Sequence, residues 1–232
     1  MLKKLLLSFV LIIGALLSIA FIRTLMHSAP ESPVNVGVTA DIDGEAAINN
    51  LAASIRFKTI SHQDKEKFSP QEFEGFIKWA ADTYPEFHSA MQLEMLEYTL
   101  LFKWEGSDSS LAPILLTAHY DVVPVIPGTE TIWEEEPFAG VISNNRIWGR
   151  GALDDKSGVV GMMEAATYLL KNNFKPTRTV YFSFGHDEEI GGRNGAGAIT
   201  ALLREQGVQL AWSLDEGSFV FDGIFPGLET LM

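Results

Sequence analysis

The sequence predicts an α/β fold, a mostly parallel sheet sandwiched by helices and preceded by one apolar helix. Three observations carry this. After residue 41, strand-like runs alternate with amphipathic segments of helical length, a pattern that implies parallel pairing and a sheet covered on both faces. Hydrophobic residues make up 47% of the 232, enough for a substantial core. An uncharged apolar stretch, "LLLSFVLIIGALLSIAFI" from Leu5 to Ile22, stands apart from the rest.

That stretch is close to the roughly twenty residues that cross a bilayer as a helix. Lys3 and Lys4 precede it and only Arg23 follows closely, a mild bias toward a cytoplasmic N-terminus. The expected layout is cytoplasmic residues 1–4, a transmembrane signal anchor over 5–26, a linker over 27–40, and the folded domain over 41–232 outside the cytoplasm. A cleaved signal peptide and a secreted product are the competing reading. Against it, "HSAP" puts His27 where a small residue is wanted and Pro30 after the cut.

In the folded part, residues 43–57 carry apolar positions at helical spacing (Ala47, Ile48, Leu51, Ala52, Ile55). "SPQE" announces a second helix, with Ser69 as N-cap, Pro70 at the first position and Glu72 closing a capping box. Phe73, Phe76, Ile77 and Ala80 form its apolar stripe, read as core. Strand-like runs follow from residues 93 and 112, then a hairpin over 140–151 turning at Asn144 and Asn145. Residues 157–171 read as an amphipathic helix and "PTRTVYFSF" as a strand. "RNGAGAITALLREQ" reads as a helix stopped by Gly207, and "VQLAWSLDEG" as a further strand.

Charge and composition narrow the function. Thirty acidic against seventeen basic residues give a formal charge of −13, which repels phosphate backbones and excludes nucleic acid as a partner. With no cysteine, a transition metal must be held by His, Asp and Glu. The ionisable residues cluster where predicted strands end. "ILLTA" leads into His119 and Asp121, "VYFSF" into Asp187, Glu188 and Glu189, and "LAWSL" into Asp215 and Glu216. Ligands of open α/β sheets bind outside those strand ends. Carboxylates converging there raise one another's pKa unless a cation sits among them.

In "HYD", an extended chain faces Asp121 the same way as His119, so it can accept a hydrogen bond from the imidazole nitrogen that binds no metal. Asp154 precedes a helix that Asp155 or Ser157 could cap, which frees Asp154 for other work. Glu188 and Glu189 permit a division of labour, one binding metal and one reaching water. His27, His62, His88 and His186 receive no site role.

"TAHYDVVP" (117–124), "GRGALDDKSGVVG" (149–161), "HDEEIGG" (186–192) and "LDEG" (214–217) together resemble the co-catalytic zinc peptidases that include aminoacylase, carboxypeptidase S and succinyl-diaminopimelate desuccinylase. The carboxypeptidase S branch and its N-acyl-amino-acid hydrolases are the nearest in pattern, and "LAASIRFKTIS" (51–61) is similar to that branch too. The resemblance implies a catalytic domain with two Zn2+ ions, Co2+ or Mn2+ being alternatives. It makes His119 a ligand of one ion, with Asp121 orienting it, Asp154 the bridge, Glu189 a ligand of the other ion and Glu188 the general base acting on zinc-bound water. Asp215 becomes the terminal ligand beside His119, with Glu216 the alternative, and the Asp154–Asp155 peptide bond is expected to be cis. The implied substrate is a peptide or N-acyl amino acid with a free carboxylate. Family members add a lid and dimerisation domain and a late histidine ligand. The chain therefore reads as the N-terminal portion of a longer enzyme, homodimeric when full-length, with the His119 ion better held than the other. The alternative is a non-catalytic remnant binding a metal, or a partner through an unfinished sheet edge.

Overall fold

The computed structural model describes residues 2–26 and 40–217. The expected linker, but for residue 40, and residues 218–232 of the expected catalytic domain lie outside the described residues. Two units result, divided at Asp41 and Ile42. The first holds helix α1 (Leu2–Leu25), within which the 19 residues Leu6–Thr24 are long and apolar enough to cross a membrane by length and composition.

The second unit opens with α2 (Gly44–Ile55), capped by Asp43, which accepts the Ala46 amide at 3.0 Å. Helix α3 (Pro70–Thr83) starts on Pro70 as expected, but the capping box does not form. Ser69 makes no side-chain cap bond, and the Glu72 carboxylate instead accepts the Lys58 amide at 2.7 Å. A short helix α4 (Pro85–Ala90) leads into β1 (Gln92–Leu96) and β2 (Thr99–Trp104). The run from residue 93 is thus a hairpin, turned at Glu97 with φ 54°. Strand β3 (Ile114–His119) follows, then the small hairpin β4 (Val141–Ser143) and β5 (Arg146–Trp148). Asn144 and Asn145 at its turn have φ of 50° and 58°, the left-handed pair that a two-residue hairpin demands. The chain continues through α5 (Lys156–Lys171), β6 (Val180–Gly185), α6 (Ala196–Glu205) and β7 (Trp212–Leu214).

The five-stranded sheet has the order β1-β2-β6-β3-β7. Strand β3 runs parallel to β6 and β7, whereas β2 is antiparallel to both β1 and β6. The sheet is therefore mixed, not mostly parallel, because a tight turn can join β1 to β2 only as antiparallel neighbours. Alternating residues serve its two faces. Phe102, Phe182, Phe184 and Ala118 pack against Phe73, Phe76, Phe87, Val159 and Met163 of α3, α4 and α5. Leu101, Tyr181 and Leu115 pack on the other side against Ile199 and Leu203 of α6. Burying each such aromatic or aliphatic side chain contributes about 1.5–3 kcal/mol, and α3's aromatic stripe is core as the sequence suggests. The three parallel strands end on one rim, and the acidic clusters follow directly from them.

Candidate metal centre

His119, the last residue of β3, is 2% exposed. Its Nδ1 faces Asp121, 3.0 Å from the backbone oxygen and 3.3 Å from Oδ1. Its Nε2 faces three carboxylates: Asp154 Oδ1 at 2.9 Å, Glu216 Oε1 at 3.2 Å and Glu188 Oε2 at 3.8 Å. One donor atom each from His119, Asp154 and Glu216 lies within 4.8 Å of the others. The loops after β3 and β7 thus bring His119 and Glu216 together with Asp154, which precedes α5.

Each participant is freed or fixed by its neighbours. Asp155, not Asp154, caps α5, accepting the Gly158 amide at 3.1 Å. A side chain at position 158 would put its Cβ 2.5 Å from that carboxylate and push it off the cap. Asp154 is left with its side chain 62% exposed. The Asp154–Asp155 bond is cis. In the "DEE" run, Asp187 is buried and serves the turn: its carboxylate accepts the Asn194 amide at 2.7 Å, and its backbone oxygen accepts from Ile190 and Gly192. Gly191 and Gly192, at φ of 102° and 62°, close that turn where a side chain would be strained. Glu188 and Glu189 are left to project. His186 is buried, paired with the Thr99 hydroxyl and edge-on to Phe73 and Tyr98, a packing role.

Electrostatics mark the cluster as a place for positive charge. Burial by itself lowers the His119 pKa, but Asp121, Glu216 and Glu188 more than reverse this and push it up to about 10. Burial pushes Asp155 up to about 6. Glu188 is raised, first by burial and then by Glu216, Asp121 and Asp154, with His119 opposing. Glu189 is raised by burial and next by Asp154, so Asp154 stands in the field of both Glu189 and His119. One imidazole nitrogen among carboxylate oxygens, with no thiolate, is a donor set suited to a divalent cation such as zinc. The residues present fit such an ion.

Of the expected ligands, Glu189 and Asp215 lie outside this donor group. Asp215, expected beside His119, is not in the donor group. Its carboxylate turns back to accept the Glu216 amide at 2.9 Å, and the alternative, Glu216, reaches the imidazole. Sequence reasoning gave Ser61 no role, yet its hydroxyl donates to Asp121 Oδ2 at 2.6 Å. The only sequence signal was the family-like stretch ending at that residue.

Residues 115–225 match the model of peptidase family M20/M25/M40. Over 183 residues the chain is 43% identical to the Mus musculus N-fatty-acyl-amino acid synthase/hydrolase PM20D1, covering 77% of this chain and 35% of that protein. It is 36% identical over 229 residues to the probable carboxypeptidase S-like 2 of Dictyostelium discoideum, covering 94% of this chain and 44% of that protein. The chain thus spans less than half the length of these curated relatives. Among solved structures, the M20 family metallo-carboxypeptidase Sso-CP2 from Sulfolobus solfataricus superposes with a TM-score of 0.60 at 21% identity, covering 75% of this chain and 38% of that one. At that identity the likeness speaks for the fold. The matched residues include those that gather His119, Asp154 and Glu216, and residues 115–225 carry a peptidase family M20/M25/M40 domain.

Proposed function

We propose that this chain carries the metal-binding face of a hydrolase that cleaves the amide bond of a peptide or N-acyl amino acid bearing a free carboxylate. The observation that carries the reading is the convergence of Asp154, Glu216 and Glu188 on His119 Nε2. His119, Asp154 and Glu216 would hold one divalent ion, and Asp154 and Glu189 would contribute to a second. When bound, the ions, zinc with cobalt or manganese as alternatives, withdraw charge from the amide carbonyl and acidify water. Asp121 accepts at Nδ1 and so keeps Nε2 as the free lone pair of His119. Glu188, its pKa raised, takes the proton of the attacking water at its carboxylate and passes it to the amine nitrogen as the C–N bond breaks. The names of the two curated relatives, a fatty-acyl-amino acid hydrolase and a carboxypeptidase S-like protein, support this substrate class. Helix α1 anchors the protein in a membrane, with the hydrolase outside the cytoplasm.

The test is metal content together with hydrolysis of N-acyl amino acids and of peptides with a free carboxylate by the full-length protein. Glu188→Gln should keep the metal and lose about 10²- to 10⁴-fold in kcat. Bound metal without amide cleavage, or an unaffected Glu188→Gln enzyme, sinks the proposal.

A further inference from the structure

Just beyond the end of β3, residues 59–61 run alongside 120–122. The Val122 amide donates to the Thr59 carbonyl at 2.9 Å, Ile60 and Val122 form a lone parallel bridge, and the buried Thr59 hydroxyl donates to the Tyr120 carbonyl. This splint seats Ser61, 4% exposed, against Asp121. The Asp121 carboxylate also accepts the Glu188 amide on Oδ1 and the Glu189 amide on Oδ2, each at 3.1 Å, while Oδ1 faces His119 Nδ1. Three donors hold the carboxylate, with the imidazole 3.3 Å from Oδ1. One buried carboxylate therefore fixes both the imidazole and the peptide that carries Glu188 and Glu189.

We infer that Ser61 is a positioning residue: its hydroxyl sets the rotation of the Asp121 carboxylate, and through it the relative placement of His119 and the Glu188–Glu189 peptide. The terminal torsion of an aspartate is broad and roughly two-fold, so bonds to its oxygens are what select one orientation. Without the Ser61 hydroxyl, Oδ2 keeps the Glu189 amide alone. The consequence for metal rests on the hydrolase reading above; the hydrogen-bond role does not. A threonine retains the hydroxyl, and Ser61 lines a cavity of about 460 Å³ shared with His62, Phe68 and Tyr98.

The experiment pairs amide hydrogen exchange on the ¹⁵N-labelled protein with Co2+ titration followed by its visible absorption. In Ser61→Ala, the Glu188 and Glu189 amides should exchange at least about ten-fold faster while those of β2 and β6 are unchanged. Co2+ affinity should fall by about 10- to 100-fold with a shifted spectrum, and Ser61→Thr should restore both. Should Ser61→Ala fail to fold, Ser61→Cys carries the same expectation at smaller amplitude. Wild-type exchange at Glu188 and Glu189 in either the alanine or the cysteine variant, or no restoration by threonine, overturns the assignment. A wild-type protein that takes up no cobalt but shows the Ser61-dependent exchange overturns the metal reading instead and leaves Ser61 in its role.

Discussion

Two aspartates flank His119, one at each ring nitrogen, and the fold treats them in opposite ways. Asp121, at Nδ1, is 0% exposed and meets a hydroxyl, two amides and the imidazole. Asp154, at Nε2, has a side chain 62% exposed and, among the described residues, a single hydrogen-bond partner, the imidazole itself. A carboxylate whose lone pairs the protein consumes is scaffold. One whose lone pairs stay open is available to bind something else. The difference arises locally, since Asp121 lies between the 59–61 splint and the Glu188–Glu189 turn, whereas Asp155 has taken the α5 cap and released its neighbour.

The strongest way to break this comparison is Asp121→Ala. It leaves the Glu188 and Glu189 amides and the Ser61 hydroxyl without their acceptor, at about 1–3 kcal/mol for each group left unsatisfied. Thermal unfolding should move sharply downward, and metal uptake should go with it. A variant that melts with the wild type would mean that the buried aspartate is not the scaffold described.

Asp154→Asn acts on the other side of the ring. Being exposed, it should change stability by no more than about 0.5 kcal/mol. Its Co2+ affinity should nevertheless fall by more than the roughly 10- to 100-fold that follows loss of a supporting partner. Calorimetric titration with a parallel melt reads both numbers. If the melt falls and the affinity holds, the two aspartates have exchanged roles.

How much of this was legible beforehand follows from which interactions are local. The strand-end positions of His119, Glu188 and Glu216 could be read because burial patterns and turn residues are written into short windows. The freeing of Asp154 by an adjacent cap could be read for the same reason. The β1–β2 hairpin could not, since its turn rests on Glu97 in a left-handed conformation, a residue type with no marked preference for it. Ser61 was invisible because its partner lies 60 residues away and the contact exists only once the 59–61 splint has formed. The choice between Asp215 and Glu216 turned on which of two adjacent carboxylates points back along the chain, a rotamer decision that no spacing encodes.

That last choice also decides the smallest expected effect, on the titration of His119. With folded-state His119 pushed up to about 10 from an ordinary value near 6.5, the native protein binds this proton more tightly than the unfolded chain. The stability so gained is complete below pH 6.5 and is lost as pH rises toward 10. Lys156 opposes it over much of the same range. Burial holds its ammonium down to about 7, so its cost to folding is full below pH 7 and fades toward 10.5. Melting curves therefore mix two opposite slopes, and the imidazole resonances of the metal-free protein are the cleaner measure. They should stay in the protonated position through neutral pH and move only near pH 10. Glu216→Gln removes a charge 3.2 Å from Nε2 and should bring that midpoint down, whereas Asp215→Ala, whose carboxylate turns toward its own backbone, should leave it in place. If Asp215→Ala lowers the midpoint and Glu216→Gln does not, the β7 rim is turned the other way and Asp215 completes the donor group.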